Sequence, residues 1–286
     1  MSIVAVLGSG TMGQGIAQLA ATSGYETRVY DVDPARANAA VEAIAAQLAK
    51  LVTKGKLDND GKARALALLS VAKDLHAACA EVDYVIESAP ENMNVKAEIF
   101  HHVKDAAPVS AVLGSNTSSL SITELGAKSG AADRVIGLHF FNPPPVMELL
   151  EVVRGLGTSQ ATVDKALALA ASMKKTPIIV ADAPGFASSR LGVILGAEAI
   201  RMLETGVASA QDIDRAMELG YRHPMGPLKL TDLVGLDVRL AILEHLHREL
   251  GEQFRPPALL RKMVRAGKLG KKVGEGFYVW KDGQPT

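Results

Sequence analysis

Residues 115–151 bring together groups that can move a proton. A run of hydroxyl and amide side chains, SNTSSLSITE, is followed after a spacer by VIGLHFFNPPPVMELLEVV. The second segment sets one histidine, His139, just past an apolar run, with the carboxylates Glu148 and Glu151 downstream. An imidazole titrates near pH ~6.5 and so can take or give a proton at neutral pH. Taking the hydroxyl proton of a secondary alcohol is one reaction open to it, provided that something accepts the hydride leaving the same carbon.

The first thirty residues suggest such an acceptor. IVAVL, at positions 3–7, reads as a strand buried on both faces, and it runs straight into Gly8-Ser9-Gly10-Thr11-Met12-Gly13 and a helix-compatible stretch. In a G-x-G-x-x-G turn between strand and helix, one glycine turns the chain, one admits a pyrophosphate and one allows close packing. The helix start at Thr11 and Met12 offers unpaired N–H groups to phosphate. The next apolar segment ends at Asp31, roughly 20 positions on, where a ribose 2′-hydroxyl needs an acceptor. A carboxylate there repels a 2′-phosphate, so NAD is expected over NADP, although Arg28 lies nearby.

The elements that must hold these residues alternate along the chain. Further strands are expected at 83–87, 111–115, 135–140, 148–153 and 176–180, with helices between them, which predicts a parallel sheet of Rossmann type. Residues 34–70 form an unusually long, alanine-rich crossover, read as a helical hairpin. Period-2 alternation puts Glu148 and Glu151 on opposite faces, so only one should point at His139. After the Pro184-Gly185-Phe186 break the apolar residues recur at helical spacing. The expected division is a dinucleotide-binding domain over 1–184 and an all-α domain over 185–286.

Composition narrows the function classes. Among 286 residues, 31 Lys plus Arg balance 31 Asp plus Glu, so no global field favours nucleic acid or an anionic membrane. Forty-eight percent of residues are apolar, yet no run has the length of a membrane span. The chain enters its first strand at once, without the pattern of a signal peptide, and is read as cytoplasmic. The single cysteine, Cys79, excludes an internal disulfide framework and reads as core packing. Neither His101-His102 nor His245 with His247 has partners at metal-ligand spacing, so no metal is expected.

The ordered set GSGTMGQGIAQ, SNTSSLSI, GLHFFNPPPVMELLEV, DAPGF, DIDRAM, GYRHPMGPLKLTDLVGLD and GEGFYVW resembles the 3-hydroxyacyl-CoA dehydrogenase family over essentially the whole chain, in particular its short bacterial 3-hydroxybutyryl-CoA members. The resemblance implies NAD-dependent oxidation of a 3-hydroxyacyl-CoA or the reverse reduction. It makes His139 the base, Glu151 its carboxylate partner, and Ser118 a ligand of the substrate's 3-oxygen. Asn116 and Asn142 would then flank the pocket, and Glu91 and Lys96 would lie near the cofactor. The CoA phosphates would meet Lys50 and Lys54 in the crossover. The helical domain would form a homodimer, with substrate in the cleft between domains.

One position departs from the family pattern. Where an asparagine usually precedes the arginine after PGF, this chain has Ser189 before Arg190. A serine is shorter and donates one hydrogen bond where an amide donates two, which puts the substrate in doubt more than the reaction. Two other classes stay open: a dehydrogenase of the same fold acting on a hydroxy acid or sugar acid without CoA, and a non-catalytic NAD-binding protein.

Overall fold

The structure, a computed structural model, describes residues 2–286. It divides into two compact units, one extending to Ala183 and the other beginning at Pro184. In the first unit the order is β1 (Ile3–Leu7), α1 (Thr11–Thr22), β2 (Glu26–Tyr30), α2 (Pro34–Thr53), α3 (Asn59–Ala67), β3 (Leu69–Val71), α4 (Leu75–Cys79) and β4 (Tyr84–Glu87). Then follow α5 (Met93–Ala106), β5 (Val112–Ser115), α6 (Ile122–Ser129), β6 (Val135–Phe140), β7 (Leu149–Arg154), α7 (Gln160–Ser172) and β8 (Thr176–Ala181). The strands form one eight-stranded sheet in the order β3-β2-β1-β4-β5-β6-β7-β8.

Burial explains why these segments became strands. Val4 and Val6 of β1 join Ile136 and Leu138 of β6, Ile16 and Leu19 of α1, and Ile44 and Leu48 of α2 in one apolar cluster. Ala5 and Leu7, which alternate with them, are as fully buried, as expected of a sheet covered on both faces. The crossover is the anticipated helical hairpin: Asp33 caps α2 through Ala35 N with Pro34 in the first turn, and Asp58 caps α3 through Gly61 N. Cys79 is buried, and its surroundings push the thiol up to about 12, which suits packing rather than reactivity.

The sheet is not wholly parallel. β7 runs antiparallel to β6, because residues 141–148 are too few for a crossover, which takes about a dozen or more. This reversal sets His139 directly opposite Glu151 in the register. The short edge strand β3 lies outside the expected strands.

The second unit contains α8 (Ser188–Glu204), α9 (Ala210–Arg215), α10 (Pro227–Val234), α11 (Leu236–Leu250) and α12 (Ala258–Arg265), ending in a small hairpin of β9 (Trp280–Lys281) and β10 (Gln284–Pro285). Val193, Ile200, Leu228, Leu243, Leu246 and Leu260 form its core. Two buried aspartates tie the motifs together. Asp214 accepts from Leu228 N, Lys229 N and the Tyr278 hydroxyl, so it caps α10 from a distance. Asp232 accepts from Phe277 N, Tyr278 N and Trp280 Nε1, and burial raises its carboxyl above the ordinary value against those bonds. The all-α expectation therefore holds for the core and omits a C-terminal hairpin pinned by a buried carboxylate.

Candidate active site

His139 Nδ1 lies 2.7 Å from Glu151 Oε2, with the residues 7% and 0% exposed. Directly opposed residues of an antiparallel pair have Cβ atoms only ~5 Å apart, so register alone brings carboxylate to imidazole. Glu148 lies ahead of β7 and is exposed. With Glu151 ionised, Nδ1–H donates to it, which selects the tautomer whose lone pair is on Nε2. The Phe141 ring packs at 4.6 Å between centroids and limits ring rotation. The loop leading to β7 is held by Lys175, whose Nζ donates to Pro144 O at 2.6 Å and Met147 O at 2.7 Å. Burial lowers the Lys175 ammonium below its usual range, with Glu148 acting the other way.

The hydroxyl-rich loop after β5 is organised by a residue its own sequence does not announce. Glu91 Oε1 accepts from Thr117 Oγ1, Ser118 N and Ser119 Oγ. Ser118 is half-buried, and its Oγ is 3.5 Å from the same oxygen. Asn116 Oδ1 accepts from Phe140 N at 3.0 Å, linking the end of β5 to the residue beside His139. Beneath lies a buried ion pair: Lys96 Nζ is 2.7 Å from Glu87 Oε1, 3.4 Å from Glu91 Oε2 and 3.1 Å from Ala89 O. Glu87 also accepts from Ala89 N and Ser115 Oγ. Lys96 is only 1% exposed, so in this arrangement its three protons order the loop. The strand expected over 83–87 gives Glu87 no role in the site; the signal for one is a carboxylate closing an apolar strand, a residue almost never buried unpaired.

The glycine loop divides its labour as the spacing predicts. Gly8 has φ +97°, and a Cβ there would fall 2.6 Å from Ser88 O. A Cβ on Gly13 would sit 1.8 Å from Gly8 O, whereas one on Gly10 would meet nothing within 4 Å. Gly8 and Gly13 are thus required by the protein itself, and the space over Gly10 is open to a ligand. Gly10 begins α1 without a side-chain cap, so the Thr11 and Met12 amides face the same space, which suits a pyrophosphate. Asp31 at the end of β2 accepts from Ser9 N at 2.8 Å, Ser9 Oγ at 2.7 Å and Asp33 N at 3.2 Å. Burial alone would raise the Asp31 carboxyl; the bonds from Ser9 and Asp33 outweigh it and hold it below the ordinary value. A carboxylate has about four acceptor positions, so a ribose hydroxyl can still be accommodated. These residues fit the dinucleotide.

Gly8, Asp31, Glu91, Asn116 and His139 all lie at the carboxyl ends of parallel strands that are neighbours in the order β2-β1-β4-β5-β6. That edge is where open α/β sheets bind ligands. Asn142 is exposed in the turn after β6. Lys50 and Lys54 are exposed at the C-terminal end of α2, where a cation also complements the helix dipole; the sheet puts β2 four strand spacings from β6, roughly 19 Å. Ser189 occupies the first turn of α8 in the helical unit and is half-buried. Among the described residues no cluster of three or more His, Cys, Asp or Glu could hold a metal.

A dinucleotide fold with a buried histidine–carboxylate pair on its ligand edge defines a class, the NAD-dependent dehydrogenases. Residues 3–183 match the family description "3-hydroxyacyl-CoA dehydrogenase, NAD binding domain", and residues 185–280 match the C-terminal domain of the same family. The chain belongs to the 3-hydroxyacyl-CoA dehydrogenase family, and its cofactor is NAD. It is 46% identical over 280 residues to a probable 3-hydroxybutyryl-CoA dehydrogenase of Bacillus subtilis, covering 98% of this chain and 97% of that one. It is 41% identical to a 3-hydroxyadipyl-CoA dehydrogenase of Escherichia coli, covering 97% of this chain and 59% of that protein. Among solved structures, the (S)-3-hydroxybutyryl-CoA dehydrogenase of Ralstonia eutropha superimposes with a TM-score of 0.94 at 41% identity, covering 99% of this chain and 100% of that one. No helix among the described residues is long and apolar enough to cross a membrane.

Proposed function

We propose that this enzyme interconverts a short-chain (S)-3-hydroxyacyl-CoA, 3-hydroxybutyryl-CoA in the first instance, and the corresponding 3-oxoacyl-CoA. The observation that carries the reading is the His139–Glu151 pair, 2.7 Å apart and fixed by strand register. His139 accepts the hydroxyl proton of the substrate through Nε2 and becomes an imidazolium; Glu151 holds the tautomer beforehand and balances the charge afterwards. When bound, NAD supplies the acceptor for the hydride that leaves the same carbon. Ser118, held by Glu91, orients the 3-oxygen by a hydrogen bond that strengthens as charge develops there. Gly10, Thr11 and Met12 receive the pyrophosphate, and Asp31 receives the ribose and disfavours a 2′-phosphate.

Asn116 and Asn142 bound the nicotinamide end of the pocket, while Lys50 and Lys54 meet the CoA phosphates and Ser189 faces the acyl group. The enzyme works as a homodimer in the cytoplasm, in keeping with a helical unit that exposes Leu191, Val234 and Val238. The names of the Bacillus and Ralstonia relatives support a four-carbon substrate, and that of the Escherichia relative shows that the family includes an enzyme for a chain with a second carboxylate. Purified protein given NADH and acetoacetyl-CoA is expected to consume NADH and to leave free acetoacetate untouched. Turnover of the free acid with no short acyl-CoA accepted overturns the reading.

A further inference from the structure

Beneath the hydroxyl-rich loop two carboxylates compete for one buried ammonium. Lys96 Nζ is 2.7 Å from Glu87 Oε1 and 3.4 Å from Glu91 Oε2. The two competitors are not equivalent, because Glu87 is fully buried and Glu91 is exposed. A buried carboxylate without a counter-charge is costly, whereas an exposed one is satisfied by water. The ammonium therefore belongs to Glu87, and Glu91 Oε1 is left to accept from the loop.

Strand register fixes this division. Glu87 at the end of β4 pairs with Ser115 at the end of β5. Its Oε2 accepts from Ser115 Oγ at 2.6 Å, and its backbone carbonyl accepts from Asn116 N at 2.8 Å. Ser115 Oγ in turn accepts from Thr117 N at 3.3 Å. Glu87 is thus held within the sheet, while Glu91 stands in the connection between β4 and α5.

We infer that Glu87 is a positioning residue: its charge keeps the Lys96 ammonium off Glu91, and Glu91 is thereby left to set Ser118 for the substrate's 3-oxygen. The inference rests on the proposed role of Ser118 in the reaction. Without the charge on Glu87, the buried ammonium has one carboxylate left and closes the gap to it. The bonds to Glu91 from Ser118 N at 3.1 Å and Ser119 Oγ at 3.3 Å are already long, so they are the first to break.

The test compares the wild type, Glu87→Gln and the double variant Glu87→Gln with Lys96→Met by two readouts. One is amide hydrogen exchange at Ser118 in the free protein, and the other is kcat on 3-hydroxybutyryl-CoA at saturating cofactor. Glu87→Gln is expected to speed Ser118 exchange about tenfold, the worth of one hydrogen bond to a charged group. It is expected to lower kcat about 100-fold, the cost of misplacing a donor to a developing oxyanion. The double variant removes ammonium and counter-charge together, a replacement that buried pairs commonly tolerate, and is expected to return both readouts most of the way to wild type. A double variant as impaired as the single one overturns the inference, since Glu87 would then act by packing alone. Wild-type exchange in Glu87→Gln overturns it as well. If Glu87→Gln does not fold, Glu87→Asp decides: its charge is drawn back from Lys96 by one methylene, and unchanged Ser118 exchange in it contradicts the inference. Faster exchange with unchanged kcat overturns the positioning role and leaves the reaction standing. A wild type inactive on every short acyl-CoA removes the proposed reaction itself, a distinct result.

Discussion

His139 and Glu151 are coupled by backbone register rather than by proximity in sequence, and this makes the carboxylate's contribution separable. Replacing Glu151 with glutamine keeps the side chain's size and removes the charge that balances an imidazolium. Glu151→Gln is expected to lower kcat by about 1,000-fold with NADH affinity little changed, read by steady-state kinetics and a fluorescence titration of NADH; a near-normal kcat would mean that His139 needs no carboxylate. At this scale the sequence was informative where chemistry is local. His139 after an apolar strand and Asp31 after the glycine loop could be found by position. The hold of Glu91 on the hydroxyl-rich loop could not, because its hydrogen bonds to Thr117, Ser118 and Ser119 cross more than twenty residues of chain.

Among the elements, the β1–α1 unit is the least tolerant of change. A methyl group on Gly13 would fall 1.8 Å from the Gly8 carbonyl oxygen, so the helix start must move away from the strand. Gly13→Ala is expected to cost about 3 kcal/mol of stability, at the upper end for overpacking, and to weaken NADH binding together with it. Thermal unfolding and an NADH titration check both, and an unshifted midpoint with normal affinity would show that the loop relaxes freely. Strands such as Val135–Phe140 were legible because a short, mostly apolar run reads as a strand covered on both faces, and all six residues are buried. The antiparallel course of β7 depends on the brevity of the proline-rich connection, which matters only once both strands are known to be adjacent. β3, with three residues, and the terminal hairpin, with two-residue strands, are too short for periodicity to register.

Across the whole molecule each unit closes its own core, and the sequence motifs divide between chemistry and construction. SNTSS and GLHFFNPPP build the ligand edge of the first unit. The DIDRAM segment instead supplies Asp214, which binds the Leu228 and Lys229 amides at the start of α10, and GEGFYVW supplies the amides that Asp232 binds, so they hold helices and tail together. The charge balance of the chain agrees with a small-molecule substrate rather than a polyanion. The account rests on His139 as the base that takes the substrate's proton. Its most direct test is the kcat of His139→Gln on 3-hydroxybutyryl-CoA, measured beside the NADH affinity of the same preparation. The account predicts a fall of roughly 1,000-fold or more with NADH affinity preserved, and turnover close to wild type would contradict it.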